Sequence, residues 1–127
     1  MDNKLSTIQT HLEFLGYEID EKEDHLLAVS NRNLIWISEL SYAILHKTYW
    51  TMKKELDDNF YKILNILNQN ATISTYRVWG DEHHTLVVEA LYSGEYSKVS
   101  YGKFLDAFTV DNNEKIYNND ELSEYLE

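Results

Sequence analysis

Five histidines are the residues of this chain most suited to metal binding or proton transfer, and their spacing argues against both. His25 and His46 fall in separate strand-like runs, while His83 and His84 are neighbours in a loop beside Glu82. A zinc site built on a helix needs two imidazoles four residues apart, as in HExxH, so that both project from one face. No such pair exists, and the simplest account of His83-His84 is a solvated hairpin tip. The stretch from Asp111 has a faint likeness to a calcium loop. Its sixth position is Ile116, where the turn needs glycine, and its twelfth is Leu122, where the ion needs a bidentate glutamate, so an EF-hand is excluded.

Other chemistries fare no better. A nucleophilic serine would need a local setting such as GxSxG or SxxK, and neither occurs. Glycines at positions 16, 80, 94 and 102 are too scattered to form a phosphate-cradling loop. Acidic runs at Glu18 to Asp24 and Asp120 to Glu127 could hold paired carboxylates, but close spacing in polar turns fits a solvated surface better. The chain has no cysteine, which removes disulfides, thiolate catalysis and the usual zinc and iron–sulfur ligand sets. No catalytic, cofactor-binding or metal-ligating residue is therefore assigned, and no cofactor is expected.

Charge and length narrow the class further. Eleven basic against 22 acidic side chains give a net charge of −11, which repels nucleic acid and anionic membranes alike. The first residues lack a basic segment followed by an apolar one, and no run approaches the roughly 18 apolar residues of a membrane span. A soluble, cytoplasmic protein is the expectation. With 127 residues, 43% of them hydrophobic and none of them proline, the chain is expected to form one domain over residues 1–127 with no linker to divide it. Leu126-Glu127 have the identity of a vector-derived pair and are given no functional role.

The elements follow from periodicity. Leu5, Ile8, Leu12 and Leu15 recur at helical spacing, and Gly16 supplies a stop, so a first helix is expected over about Asn3 to Leu15. After an acidic turn at Asp20 to Asp24, His25 to Ser30 and Leu34 to Ile37 read as a hairpin through Asn31-Arg32-Asn33. Ser41 to Trp50 alternates less cleanly and is read as a third strand, with a helix as the rival reading. Leu56, Phe60, Ile63, Leu64 and Leu67 define the stripe of a second helix with Asp57 and Asp58 at its start. Ile73 to Trp79 and Thr85 to Tyr92 form a second hairpin. Ser97 or Ser100 caps a last helix with Tyr101, Phe104, Leu105 and Phe108 inward. Past Asp111 the chain is polar and acidic, and a weakly ordered tail is expected from about residue 112. The order is α-β-β-β-α-β-β-α, an α+β fold with a five-stranded antiparallel sheet packed by helices.

One pattern in the strands bears on function. Neighbouring residues in Leu26 to Val29, Leu34 to Ile37 and Leu86 to Val88 are all apolar, so both faces of the sheet carry hydrophobic side chains. Helices on both sides would be an ordinary solution. Otherwise a second subunit or a bound polypeptide supplies the missing layer. Trp36, Trp50, Trp79, Tyr42, Tyr49, Tyr76, Tyr92 and Tyr96 lie in or at the ends of the strands, where core packing is the first reading and anchors of a peptide-binding face the second.

The run Phe60-Tyr61-Lys62-Ile63-Leu64-Asn65-Ile66-Leu67-Asn68 closing a helix, followed by the strand Thr72 to Trp79, its hairpin partner Leu86 to Tyr92 and a helix from about Ser97, resembles the YbjN-like proteins and the related type III secretion chaperone-like fold. The resemblance covers about Leu5 to Asp111. It implies an antiparallel five-stranded α+β domain without cofactor or catalytic residues, and in the chaperone branch an acidic cytoplasmic homodimer that holds an extended cargo segment. No site residue is carried over from it. The resulting expectation is a non-enzymatic protein-binding module. Its partner or dimer surface is placed on the helix stripe Leu56, Phe60, Ile63 and Leu67 or on the sheet face near Trp36 and Trp79. An acidic immunity or antitoxin-type protein that neutralises a basic partner is the alternative, and a small enzyme is a lesser one.

Overall fold

The computed structural model describes residues 3–30, 33–53, 55–80 and 85–127. Helix α1 (Asn3–Phe14) buries Leu5, Ile8 and Leu12. It ends where Gly16 takes φ 98° and lets the Tyr17 amide reach back to the Leu12 carbonyl at 3.0 Å, a turn that a side chain would strain. Strands β1 (Glu18–Glu21), β2 (Leu26–Ser30), β3 (Asn33–Glu39) and β4 (Ala43–Thr51) follow. Helix α2 (Asp58–Asn70) begins on Asp57, whose carboxylate accepts the Phe60 amide at 2.9 Å. Strands β5 (Thr75–Trp79) and β6 (Thr85–Ser93) come next, then α3 (Lys98–Thr109), capped by the Ser97 hydroxyl. The residues expected at the tips of both hairpins, Asn31-Arg32 and Asp81 to His84, lie outside the described residues.

All pairings are antiparallel, in the order β1-β2-β3-β4-β6-β5. The sheet therefore has six strands rather than the expected five. Only Lys22 to His25 make the turn, closed by the Lys22 amide on the His25 carbonyl at 2.9 Å. That leaves Glu18–Glu21 free to pair with β2, and Ile19 packs against the core. A strand with one apolar residue among acids carries almost no periodic signal. The Ala43–Thr51 segment is a strand and not a helix because nine consecutive residues find partners on β6 while β3 occupies its other side.

The register sorts the side chains. Leu26, Ala28, Ile35, Ile37, Ile44, His46, Leu86, Val88, Ala90 and Tyr92 point to one side and are buried, and all of them but His46 form a single hydrophobic cluster with the apolar residues of α1, α2 and α3. Leu27, Val29, Leu34, Trp36, Leu45, Tyr49, Val87 and Leu91 alternate to the other side, and none of them belongs to that cluster.

The expectation of a weakly ordered tail is corrected by the packing. A π-helical turn (Val110–Glu114) continues α3, and two short helices, α4 (Lys115–Tyr117) and α5 (Asp120–Ser123), fold back toward α2. Ile116, Leu122, Tyr125 and Leu126 are buried, and Leu126 bridges Met52. Tyr125 stacks edge-on against Phe60 and donates its hydroxyl to Asp57 at 2.7 Å, so the cap of α2 is held by the end of the chain. Four apolar residues spread over an acidic stretch suffice once a hollow exists to receive them.

The outer edge of β5 is capped at Tyr76 by a side chain. Asn68 accepts the Tyr76 amide at 2.8 Å and donates to the Tyr76 carbonyl at 2.9 Å, taking the place of a neighbouring strand. Replacing Asn68 by alanine strands both edge groups and should cost about 1–3 kcal/mol, read as a lower urea midpoint with an unchanged slope.

Candidate functional site

The titratable groups on the helical side are sealed into the core. His46 is completely buried among Phe104, Phe108 and Tyr101. Its Nδ1 lies 3.2 Å from the Ile44 carbonyl, which can only accept, so Nδ1 carries the proton and Nε2 accepts from the Tyr101 hydroxyl at 2.7 Å. Burial drives the imidazole down to about 3, the Ile44 bond opposing it only in part, and burial raises the Tyr101 hydroxyl above the ordinary phenol value. A neutral imidazole with both nitrogens engaged is a structural spacer. His11 bonds Tyr96 at 2.7 Å, and His25 bonds Asp24 at 2.7 Å. Among the described residues no three histidines or carboxylates converge as a metal cluster; His83 and His84 lie outside them.

Asp111 is the most constrained carboxylate. Its oxygens accept the consecutive backbone amides of Thr72, Ile73 and Ser74 at 2.8–2.9 Å, and Lys115 lies 3.0 Å away. Burial alone would raise its pKa, but the Ile73 and Thr72 amides and Lys115 outweigh burial and hold it at about 2. The next residue, Asn112, accepts from Thr48 at 2.6 Å and from the Trp50 indole at 2.8 Å. These two π-turn residues tie the loop before β5 and the middle of β4 to α3. They organise the sheet, and Asn112 also lines a small cleft of about 160 Å³ with Leu34, Tyr49, Trp50 and Tyr117.

The opposite sheet face is where unsatisfied surface collects. Leu34 is 51% exposed, Leu91 46%, Tyr49 43% and Val29 41%, and none of them belongs to the core cluster, though Tyr117 of α4 lines a small cleft with Leu34 and Tyr49. From β2 to β6 this patch measures roughly 15 Å across and 13 Å along the strands. At one end Leu40, Tyr42, Leu45, Ile73 and Leu91 line an open cleft of about 410 Å³. In the middle, Trp36 has His25 stacked on it at 4.7 Å from the β2 side and the Lys47 ammonium 4.1 Å from its ring centre on the β4 side. Glu89 stands across from Lys47 in the register but turns instead to Arg77, at 2.7 Å.

The residues expected at a partner surface separate into two groups. Trp36 and Trp79 share the open face, about 20 Å apart on the register, and Trp79 is 60% exposed. The helix stripe does not serve: Phe60, Ile63 and Leu67 are buried in this chain's own core and Leu56 packs against it. The stripe was read correctly as a face of α2, but a periodic pattern does not say whether its cover comes from the same chain or another. Lys47 and the cleft beside Tyr42 were missed, because an alternating run marks two faces without showing which one the helices leave bare.

A six-stranded antiparallel sheet with one helix-covered face places the chain in the α+β class. No family model matches it and no curated protein matches its sequence. Among solved structures it is similar to the crystal structure of YbjN, a proposed transcription regulator from E. coli, with a TM-score of 0.80 and 15% identity over 97% of this chain and 95% of that one. The fold is YbjN-like. No described helix is long and apolar enough to cross a membrane.

Phe60→Ala should cost about 3–5 kcal/mol in thermal or urea unfolding, and Phe60→Asp should unfold the chain, losing its far-ultraviolet helical signal rather than yielding a folded smaller species in light scattering. His46 titrates below its unfolded value of 6.5, so unfolding binds a proton across the interval between them. The stability tied to its neutral form is full above pH 6.5 and is lost as pH falls toward 3, at up to about 1.4 kcal/mol per pH unit. A His46→Gln variant should lose most of that slope in urea titrations at stepped pH, keeping the smaller contribution of His11, whose imidazole burial also depresses, and that of Asp111, which is present above pH 3.8 and lost toward pH 2.

Proposed function

We propose that this protein is a non-enzymatic module that binds a segment of another polypeptide on the open face of its sheet. The observation that carries the reading is the apolar and aromatic patch of Val29, Leu34, Trp36, Tyr49 and Leu91, which stays outside the core cluster that the long helices α1, α2 and α3 join from the other side. Its diagonal of about 20 Å matches a helix of about 13 residues or a strand of about six. Addition of a strand at the β5 edge is disfavoured, since Asn68 occupies the outward groups of Tyr76. The net charge of −11 opposes DNA phosphate, so a regulatory role of the kind named for YbjN would run through a protein partner in this chain. The resemblance of the sequence to the secretion chaperone-like fold supports the same reading, of holding a segment rather than transforming it.

The test is position-specific photo-crosslinking in the native host. A photoreactive residue at Leu34 or Leu91 should give one discrete polypeptide adduct, while the same residue at Phe14 or Val99, exposed apolar positions on α1 and in α3, should give none. Adducts of equal yield from both sets, or none from Leu34 and Leu91, would overturn the reading. A self-adduct from Leu34 would also overturn it, replacing the foreign segment with a second copy of the chain.

A further inference from the structure

We infer that Lys47 is the anchoring cation of this face and that the segment it receives is apolar with an acidic residue at its centre; this rests on the protein-binding reading above. Lys47 is half-buried in the middle of β4, its ammonium 4.1 Å from the Trp36 ring centre and 5.8 Å from that of Tyr49. The rings fix its position at small entropic cost, because cation–π contact holds the charge without using its hydrogen-bond donors. Glu89, the nearest carboxylate by register, is committed to Arg77 through both oxygens at 2.7 and 3.4 Å. Among the described residues, Lys47 therefore forms no ion pair.

Charge complementarity selects the occupant. From β2 to β5 the charged residues whose side chains alternate onto this face are Lys47, Arg77 and Glu89, and Glu89 is neutralised by Arg77; the edge strand β1 adds Glu18 and Asp20 beside Val29 and Leu27, three strands from Lys47, with Asp20 paired to Lys22. A chain of net charge −11 thus presents its bare apolar patch with a surplus cation at the centre. An incoming basic residue would meet Lys47 in like-charge contact as water left the interface, and a wholly apolar segment would leave the ammonium buried without a partner. A carboxylate flanked by apolar side chains satisfies it, with one flank reaching the 410 Å³ cleft beside Tyr42 and Leu45 and the other lying over Leu34.

The experiment is selection of a random-peptide display library on the purified full chain, with Lys47→Gln, Lys47→Glu and Leu34→Ser variants in parallel. Lys47→Gln avoids the Glu–Glu juxtaposition that Lys47→Glu creates opposite Glu89. Wild type should enrich peptides with Asp or Glu between apolar residues. Those peptides should bind Lys47→Gln about tenfold more weakly, and Lys47→Glu should enrich Lys or Arg at the same place. Peptides that lose binding on Leu34→Ser but lack an acid, or that bind Lys47→Gln unchanged, would overturn the role of Lys47 while leaving the face as the binding surface. Enrichment insensitive to Leu34→Ser, or no enrichment at all, would overturn both.

Discussion

Strand alternation divides the side chains of β2, β3, β4 and β6 between two faces, and all the long helices of this chain join the core on the same one. That asymmetry governs the rest of the molecule. The helical side can be packed densely, with Phe60, Tyr76, Tyr101 and Phe108 nearly or wholly removed from water. The other side keeps Val29, Leu34, Tyr49 and Leu91 two-fifths to one-half exposed and outside the core cluster. Burial of apolar area is worth about 25 cal/mol per Å², so a face of this kind is a standing source of association free energy for whatever fits it.

The polar residues inside the fold make that asymmetry rigid. His46 in the middle of β4 has both ring nitrogens satisfied, by a carbonyl on its own strand and by Tyr101 of α3. Asp111 collects three successive amides from the loop that leads into β5, and Tyr76 donates to the Asp111 carbonyl at 2.6 Å. Asn112 reaches Thr48 and Trp50. The π turn that presents Asp111 and Asn112 side by side is a local departure from helical geometry held by these bonds, and such turns often mark positions under special demand. Here the demand is to hold β4, β5 and α3 as one body, which keeps the strands beneath the open face in register.

Much of this was legible from residue order. The helix starts at Asp57 and Ser97, the stop at Gly16, the two hairpins and the inward stripes of α1 and α3 all follow from short-range rules, because caps and periodicity act within one or two turns of chain. The presence of apolar residues on both sides of the sheet was equally plain in Leu34-Ile35-Trp36-Ile37. What escaped had no local signature: β1 is an acidic strand recognisable only by its partner β2, and the end of the chain packs through four residues whose spacing follows the hollow they fill.

Sequence by itself determined that the sheet would be oily on both faces, because alternation with period two is a property of any extended strand. Only the tertiary structure decided which face the helices would take, and with it that Phe60, Ile63 and Leu67 belong to the core while Trp36 and Trp79 look outward. The reason is physical: a hydrophobic stripe gains nearly the same free energy against any apolar surface, so its partner is chosen by chain connectivity and competition among all the elements at once, and neither is encoded in a window of neighbouring residues.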